Sequence, residues 1–233
     1  MPQLLISVTS LQEAQMALQC GADIIDLKDP VQGALGALPL EVVTEVVAFI
    51  HAKGPSARRL TSATVGDLPM QPELLRERVL ALLQTKADII KIGFFADLSA
   101  GLADYQPCID ALMPIARSGA KLVAVLFAEY EYPSTVISAI GNAGFYGVML
   151  DTAEKNGNTF LDYFSVDEIK AFAERVQAQG LLFGLAGSLN LQHVASASEI
   201  APDYIGFRGG VCMEHQRKSA LDSGKIRAIR RIM

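Results

Sequence analysis

Two lysines and two aspartates close apolar runs of this chain, at Asp26, Lys28, Lys91 and Asp151. Such side chains need a reason to be there, because burying an unpaired charge is costly. The plainest case is the stretch from Gly21 to Pro30, Gly-Ala-Asp-Ile-Ile-Asp-Leu-Lys-Asp-Pro. It reads as a buried strand that finishes in charge. A strand alternates its faces, so Ile24, Asp26 and Lys28 share one face and Ile25 and Leu27 the other. The second face is wholly apolar, as it must be if a helix covers it. One reading of the first face is a structural Asp26–Lys28 pair at the rim. The other is a reactive amine at the C-terminal end of a parallel strand, where α/β enzymes keep their chemistry.

The elements that must position these groups follow from periodicity. Strands are expected over 4–8, within 21–30, and over 59–64, 88–93, 121–127, 147–151, 182–186 and 203–208. Helical spacing covers 11–19, 40–53, 72–85, 106–117, 134–142, 166–179, a short segment from 191 to before Pro202, and 225–232. Ser165 with Glu168 three residues on forms a capping box. Pro114 should kink or restart the helix that contains it. Strands that alternate with helices demand a parallel sheet. Eight such units in 233 residues, with no linker or break in composition, predict one domain over 1–233, a closed (βα)8 TIM barrel. The segments 21–26, 86–91 and 201–206 echo one another, as a shared helix-to-strand connection rather than a repeat.

In such a barrel the C-terminal strand ends form one mouth. It would gather Asp26 and Lys28 from strand 2, Ser62 or Thr64 with Asp67 from strand 3, and Lys91 from strand 4. Strand 5 leads into Glu129, strand 6 gives Asp151 with Lys155 beyond it, and strand 8 gives Arg208. One lysine cation near another lowers its pKa, as burial does. An amine tuned to roughly 7–8 is nucleophilic at neutral pH, and with a carbonyl it forms a Schiff base. The second lysine could then move protons, with Asp26 or Asp151 orienting the amines. A satisfied ion-pair ring is the structural alternative. The charges stand at strand ends and not at strand starts, which favours chemistry.

Glycines supply a second signal. Gly187-Ser188 after strand 7 and Gly209-Gly210 after strand 8 stand where these barrels commonly hold a phosphate on backbone N–H groups. Arg208 could add a charged donor or close a salt bridge inside the barrel. Gly33 and Gly36 could line a mobile loop over the mouth or simply make turns. The combination points to condensation or isomerisation of a small sugar phosphate.

Composition excludes other classes. The net charge of −5 argues against a nucleic-acid binder, and the basic run 227–231 reads as the solvated face of the last helix. The apolar stretch 122–128 is far too short to cross a membrane. No signal peptide is read at the N-terminus, so the expected location is cytoplasmic. Three dispersed cysteines, Cys20, Cys108 and Cys212, suggest buried inert thiols rather than disulfides or zinc. His51, His193 and His215 form no ligand pattern, and no metal site is expected. Phe94-Phe95 are read as surface residues that could form an interface, as in a homo-oligomer, or a lid.

Six motifs taken together carry a family resemblance. They are Asp26-Leu-Lys28-Asp-Pro30 with Gly33-Ala-Leu-Gly36, Ser62-Ala-Thr-Val-Gly-Asp67, Lys91-Ile-Gly93, Leu150-Asp-Thr-Ala153 with Lys155, Leu185-Ala-Gly-Ser188 and Ile205-Gly-Phe-Arg-Gly209. In this order and over essentially the whole chain they resemble the (5-formylfuran-3-yl)methyl phosphate synthases of methanofuran biosynthesis. The resemblance implies a class I aldolase-like barrel, a lyase that joins two molecules of glyceraldehyde 3-phosphate and releases phosphate and water. By motif, Lys28 would form the Schiff base and Lys91 would act as general acid/base. Asp26, Asp151 and Lys155 would support them. No metal or organic cofactor is implied. Cys20, Cys108 and the Glu129–Tyr132 segment fall outside the pattern. Two other functions fit the bare residues: another Schiff-base sugar-phosphate aldolase or isomerase, and a non-catalytic barrel subunit or binding module.

Overall fold

The computed structural model describes residues 1–54, 59–95, 105–154 and 156–233. Among them, eight parallel strands close into a barrel in chain order. They are β1 Gln3–Val8, β2 Ile24–Leu27, β3 Leu60–Thr64, β4 Ile89–Gly93, β5 Lys121–Phe127, β6 Gly147–Asp151, β7 Leu182–Leu185 and β8 Tyr204–Phe207. The surrounding helices are α1 Leu11–Gln19, α2 Leu40–His51, α3 Pro72–Gln84, α4 Gln106–Arg117, α5 Val136–Asn142, α6 Val166–Gln177, α7 Val194–Glu199 and α8 Ser223–Ile232. Strand β1 pairs with β8 as well as with β2, which completes the closure.

Strand alternation sorts the core into two layers. Leu122, Ala124 and Leu126 of β5 pack outward under the helices, and Val123, Val125 and Phe127 point into the barrel. In β2, Ile25 and Leu27 face the helices and Ile24 faces inward, as the sequence reading expects. The inward positions are apolar low in the barrel, at Leu5, Ile24, Ile89 and Met149. One pleat further on, the same faces carry Ser7, Asp26, Lys91 and Asp151, all buried.

The echoed segments have one geometry. Gly21, Lys86 and Ala201 all have left-handed backbones, at φ 92°, 63° and 55°. Two residues on, an aspartate ties the start of its strand to the preceding strand. Asp23 accepts from the Leu4 N–H at 2.9 Å, Asp88 from the Thr61 N–H at 2.9 Å and Asp203 from the Phe183 N–H at 2.7 Å. The echo is therefore a clamp at the N-terminal rim, and it corrects the expectation that charges stand at strand ends and not at strand starts.

Of the two outcomes expected at Pro114, a restart does not occur: α4 runs unbroken from Gln106 to Arg117. The carbonyl a proline leaves unmatched is four residues back, at Asp110, and both residues are exposed, so water can take that carbonyl. The surface reading of Phe94-Phe95 is corrected for Phe94, while Phe95 is half-buried. Phe94 is buried against Tyr105 and Phe145, and Phe95 packs on Phe127 with ring centroids 4.6 Å apart. The capping box of α6 is present: Ser165 Oγ accepts from the Glu168 N–H at 3.3 Å and Glu168 Oε2 from the Ser165 N–H at 2.8 Å. The three cysteines are free and buried. Among the described residues no helix is long and apolar enough to cross a membrane.

Candidate active site

The register of the first three strands sets Ser7, Asp26 and Ser62 side by side on one level of the barrel interior. Both oxygens of Asp26 are used there. Ser7 Oγ donates to Oδ2 at 2.8 Å and Ser62 Oγ to Oδ1 at 2.6 Å. Lys91 Nζ, from β4, meets Oδ1 at 2.5 Å. Burial alone would raise the Asp26 carboxyl; the Lys91 cation, then Lys28, then hydrogen bonds from Lys91 and Ser62 outweigh it and hold the group below its ordinary value of 3.8. Asp26 is thus an anion and Lys91 its counter-cation.

Lys28 makes a different match. Its Nζ stands 4.0 Å from Asp151 Oδ2, at the end of β6. The Asp151 carboxylate is fixed through Oδ1, which accepts from the Thr152 N–H at 2.7 Å. Of the two readings of that strand end, the Asp26–Lys28 rim pair is not the one observed: the pairing is crossed, Asp26 with Lys91 and Asp151 with Lys28. The reason is the tilt of the strands in a closed barrel. Along the register Ser62 pairs with Ile89 and Thr64 with Lys91, yet the tilt returns the Lys91 side chain to Asp26, whereas Lys28, one pleat beyond Asp26, reaches the end of β6. Lys155 lies outside the described residues.

Above these groups opens a cavity of about 700 Å³. Asp26, Lys28, Lys91 and Asp151 line it, with Gly187, Ser188, Arg208, Gly209 and Gly210. The structure therefore gathers around one space every described residue proposed as catalytic or phosphate-binding, whereas Ser62, Thr64, Asp67 and Glu129, also expected at the mouth, do not line it. Gly187 has φ +101°, and a Cβ on it would stand 3.0 Å from the Thr152 nitrogen, next to Asp151. A Cβ on Gly210 would collide with the Leu189 carbonyl oxygen. These glycines let the β7 and β8 loops pass close to each other and present backbone rather than side chain. Ser188 is itself left-handed, at φ 53°. Gly209 and Gly210 open a 3-10 turn, Gly209–Val211, whose first N–H groups have no partner within the turn.

Of the two roles open for Arg208, the structure shows the internal ion pair. Its guanidinium grips Glu13 of α1, Nη1 to Oε2 at 2.5 Å and Nη2 to Oε1 at 3.2 Å. The other donors go to the carbonyls of Ser7 at 3.0 Å, Arg217 at 2.8 Å and Ser219 at 3.1 Å. Arg208 thus shapes the β8 loop from beneath. Asp67 and Glu129 also fix loops: Asp67 accepts from the Ala34 and Leu35 N–H groups, and Glu129 from those of Ala153 and Glu154.

Sequence reasoning missed Ser7 and Arg217. Ser7 had a signal, as the one polar residue of an otherwise apolar strand run, in step with Leu5. Arg217 had none: it reaches the cavity from an irregular loop. Burial pulls its guanidinium below the ordinary value; the Asp151 and Asp67 carboxylates oppose that, Arg208 adds to it, and Asp29 opposes it. Among the described residues no group of three or more His, Cys, Asp or Glu side chains is placed to hold a metal ion.

Residues 4–230 match the family model for 4-HFC-P synthase. A protein of Methylorubrum extorquens is 37% identical over 225 residues, 97% of this chain and 89% of that protein. The (5-formylfuran-3-yl)methyl phosphate synthase of Archaeoglobus fulgidus is 32% identical over 230 residues, 94% of each chain. Among solved structures, phosphoribosyl anthranilate isomerase from Thermus thermophilus superposes with a TM-score of 0.64 at 16% identity, covering 99% of this chain and 98% of that one. A 3-hexulose-6-phosphate synthase reaches 0.60 at 16% identity, over 97% and 99%. At that identity these two establish the barrel alone.

Proposed function

The chain belongs to the 4-HFC-P synthase family, and from that premise we propose that it condenses two molecules of glyceraldehyde 3-phosphate into (5-formylfuran-3-yl)methyl phosphate, releasing one phosphate and two water molecules. The setting would be methanofuran biosynthesis or that of a related one-carbon cofactor. The observation that carries the reading is the crossed arrangement of the mouth: each of two buried lysines has its own carboxylate, at 2.5 Å for Lys91 and 4.0 Å for Lys28. A reaction that first makes an imine and then moves several protons needs both parts.

Lys28 is the nucleophile. Asp151 takes a proton from its ammonium, and the neutral amine adds to the carbonyl of one triose phosphate after its isomerisation to the ketone. Loss of water from the carbinolamine gives an imine at the central carbon of the ketone. The second triose phosphate loses the proton beside its aldehyde and expels its phosphate with the C–O electron pair, which leaves an enol with a nucleophilic terminal carbon. That carbon attacks the imine carbon, so the retained phosphomethyl group becomes a branch and the second aldehyde survives as the formyl group. Lys91, beside Asp26, is the general acid/base that moves the protons of these steps. Departure of the Lys28 amine forms a C=C bond, the free hydroxymethyl group closes onto the remaining ketone, and a second dehydration gives the aromatic furan; aromaticity drives these late steps. The Gly187-Ser188 and Gly209-Gly210 backbones hold the phosphate that is retained. Lys155 supports the site by motif.

The test is product analysis. Purified protein incubated with glyceraldehyde 3-phosphate should release inorganic phosphate and a furan aldehyde phosphate in equal amounts, seen by mass and by furan absorbance. A rival reading, a Schiff-base aldolase or isomerase of another sugar phosphate, is favoured instead if triose phosphates interconvert or condense and no phosphate leaves.

A further inference from the structure

The cavity wall carries more positive charge than the catalytic pairs use. Lys91 is matched by Asp26, Lys28 by Asp151 and Arg208 by Glu13. Arg217 and Lys218 line the same cavity, and among the described residues neither has an ion-pair partner. Arg217 is half-buried, so its charge is not simply solvated.

The way Arg217 is held is specific. Its backbone lies against the glycine cradle: a Cβ on Gly209 would stand 3.7 Å from the Arg217 Cβ. From there its side chain reaches the β2 loop, where Nη2 donates to the Gly33 carbonyl at 2.8 Å. A guanidinium has five N–H donors, and among the described residues that carbonyl is the acceptor it meets. The anchor is itself fixed. Asp67 holds the next two N–H groups, of Ala34 and Leu35, at 2.8 and 2.7 Å. A Cβ on Gly33, where φ is +129°, would overlap the Asp67 carboxylate. The loop that delivers Arg217 also carries strain, with Glu214 and His215 consecutively left-handed at φ 52° and 57°. Such conformations persist where the surroundings over-determine them, and they cluster at ligand clamps.

We propose that Arg217 and Lys218 form a second anion subsite on the β2 side of the mouth, separate from the glycine cradle and built for a phosphate monoester dianion. The inference rests on the reading that two triose phosphates enter this cavity. The cradle then holds the phosphate that stays in the product. The cationic subsite, beside Lys28 and Asp151, holds the one that leaves. A planar guanidinium suits that duty, because it binds phosphate oxygens in pairs and stabilises the charge that grows on them as the C–O bond breaks and phosphate departs with the electron pair.

Glycerol 3-phosphate separates this inference from the chemistry, since it has a phosphate and no carbonyl. The wild-type protein should bind two equivalents per chain by calorimetry. Arg217→Gln should bind one, with an unchanged circular dichroism spectrum. Arg217→Lys keeps the charge and loses the fork, so it should bind two, the weaker by about tenfold less. A folded R217Q protein that still binds two equivalents, or a wild-type protein that binds one, overturns the subsite. If R217Q does not fold, an R217K protein with unaltered affinity at both sites overturns it equally. Two equivalents in wild type and one in R217Q, with no furan from glyceraldehyde 3-phosphate, would uphold the subsite and reject the synthase reading.

Discussion

Aspartates hold both ends of this barrel, and the two sets live in different surroundings. At the N-terminal rim, Asp23, Asp88 and Asp203 accept from the N–H groups of Leu4, Thr61 and Phe183. Their outer partners are exposed or half-exposed, such as Arg230 for Asp23 and His51 for Asp88. At the mouth, Asp26 and Asp151 are 0% and 1% exposed, and their partners are the buried lysines. Coulombic attraction is weak in water and strong in a desolvated site. The rim carboxylates therefore act as hydrogen-bond acceptors that stitch strands together. The mouth carboxylates set charge states, which is what acid–base and imine chemistry needs.

The sharpest way to break that contrast is to remove the nucleophile. Lys28→Met should lose about 10³-fold or more in kcat, on the scale at which a catalytic group is deleted, measured as phosphate release from glyceraldehyde 3-phosphate. Asp203→Asn at the rim should leave kcat within about twofold.

Lys91→Met comes next and acts on two levels. Turnover should fall by about 10²–10⁴-fold, the usual worth of a general acid or base. Stability should fall by about 3–5 kcal/mol, because Asp26 is left buried with its charge uncompensated, as read from urea unfolding. The double variant Lys91→Met with Asp26→Asn should recover much of the stability and none of the turnover. A stability loss in Lys91→Met no larger than in a surface lysine variant would remove the distinction between mouth and rim.

At the rim itself, Asp203→Ala should lower stability by about 1–3 kcal/mol, the penalty of an unsatisfied buried N–H at Phe183, with KM and kcat unchanged.

The pH dependence of Asp26 is a finer test. Its folded value lies below the ordinary 3.8, so its contribution to stability is complete above 3.8 and is lost as pH falls through the lower folded value. The stability difference between wild type and Asp26→Asn should therefore stay flat from neutral pH down to about pH 5 and shrink only in stronger acid. A difference that changes between pH 5 and 7 would assign the titration to another group. Ser165→Ala, far from either end's chemistry, should cost about 1 kcal/mol through the lost cap on α6.

Much of this was legible in the residues. Alternation in Ile24–Asp26–Lys28 and in Ile89–Lys91 placed the charges on inward faces, and eight strand–helix units gave the barrel. The pairing of charges was not legible. It depends on how high each strand stands beside its neighbours, and register between strands leaves no mark in any one segment. The Asp26–Lys28 pair was one of two readings open from proximity in sequence, and the observed pairing differs from it for that reason. Arg208 shows the same limit: its main partner, Glu13, is 195 residues away in sequence. Arg217 was invisible because it stands in no periodic element. The echo of 21–26, 86–91 and 201–206 was visible, but its meaning needed the left-handed backbone at Gly21, Lys86 and Ala201.

The most direct test of the account is borohydride reduction in the presence of glyceraldehyde 3-phosphate, read by intact mass and peptide mapping of wild type, Lys28→Met and Lys91→Met. The predicted result is a reduced triose phosphate adduct on Lys28 in wild type, its absence in Lys28→Met, and its retention in Lys91→Met. An adduct on Lys91, or wild-type protein that carries no adduct, would contradict the division of labour between the two buried lysines.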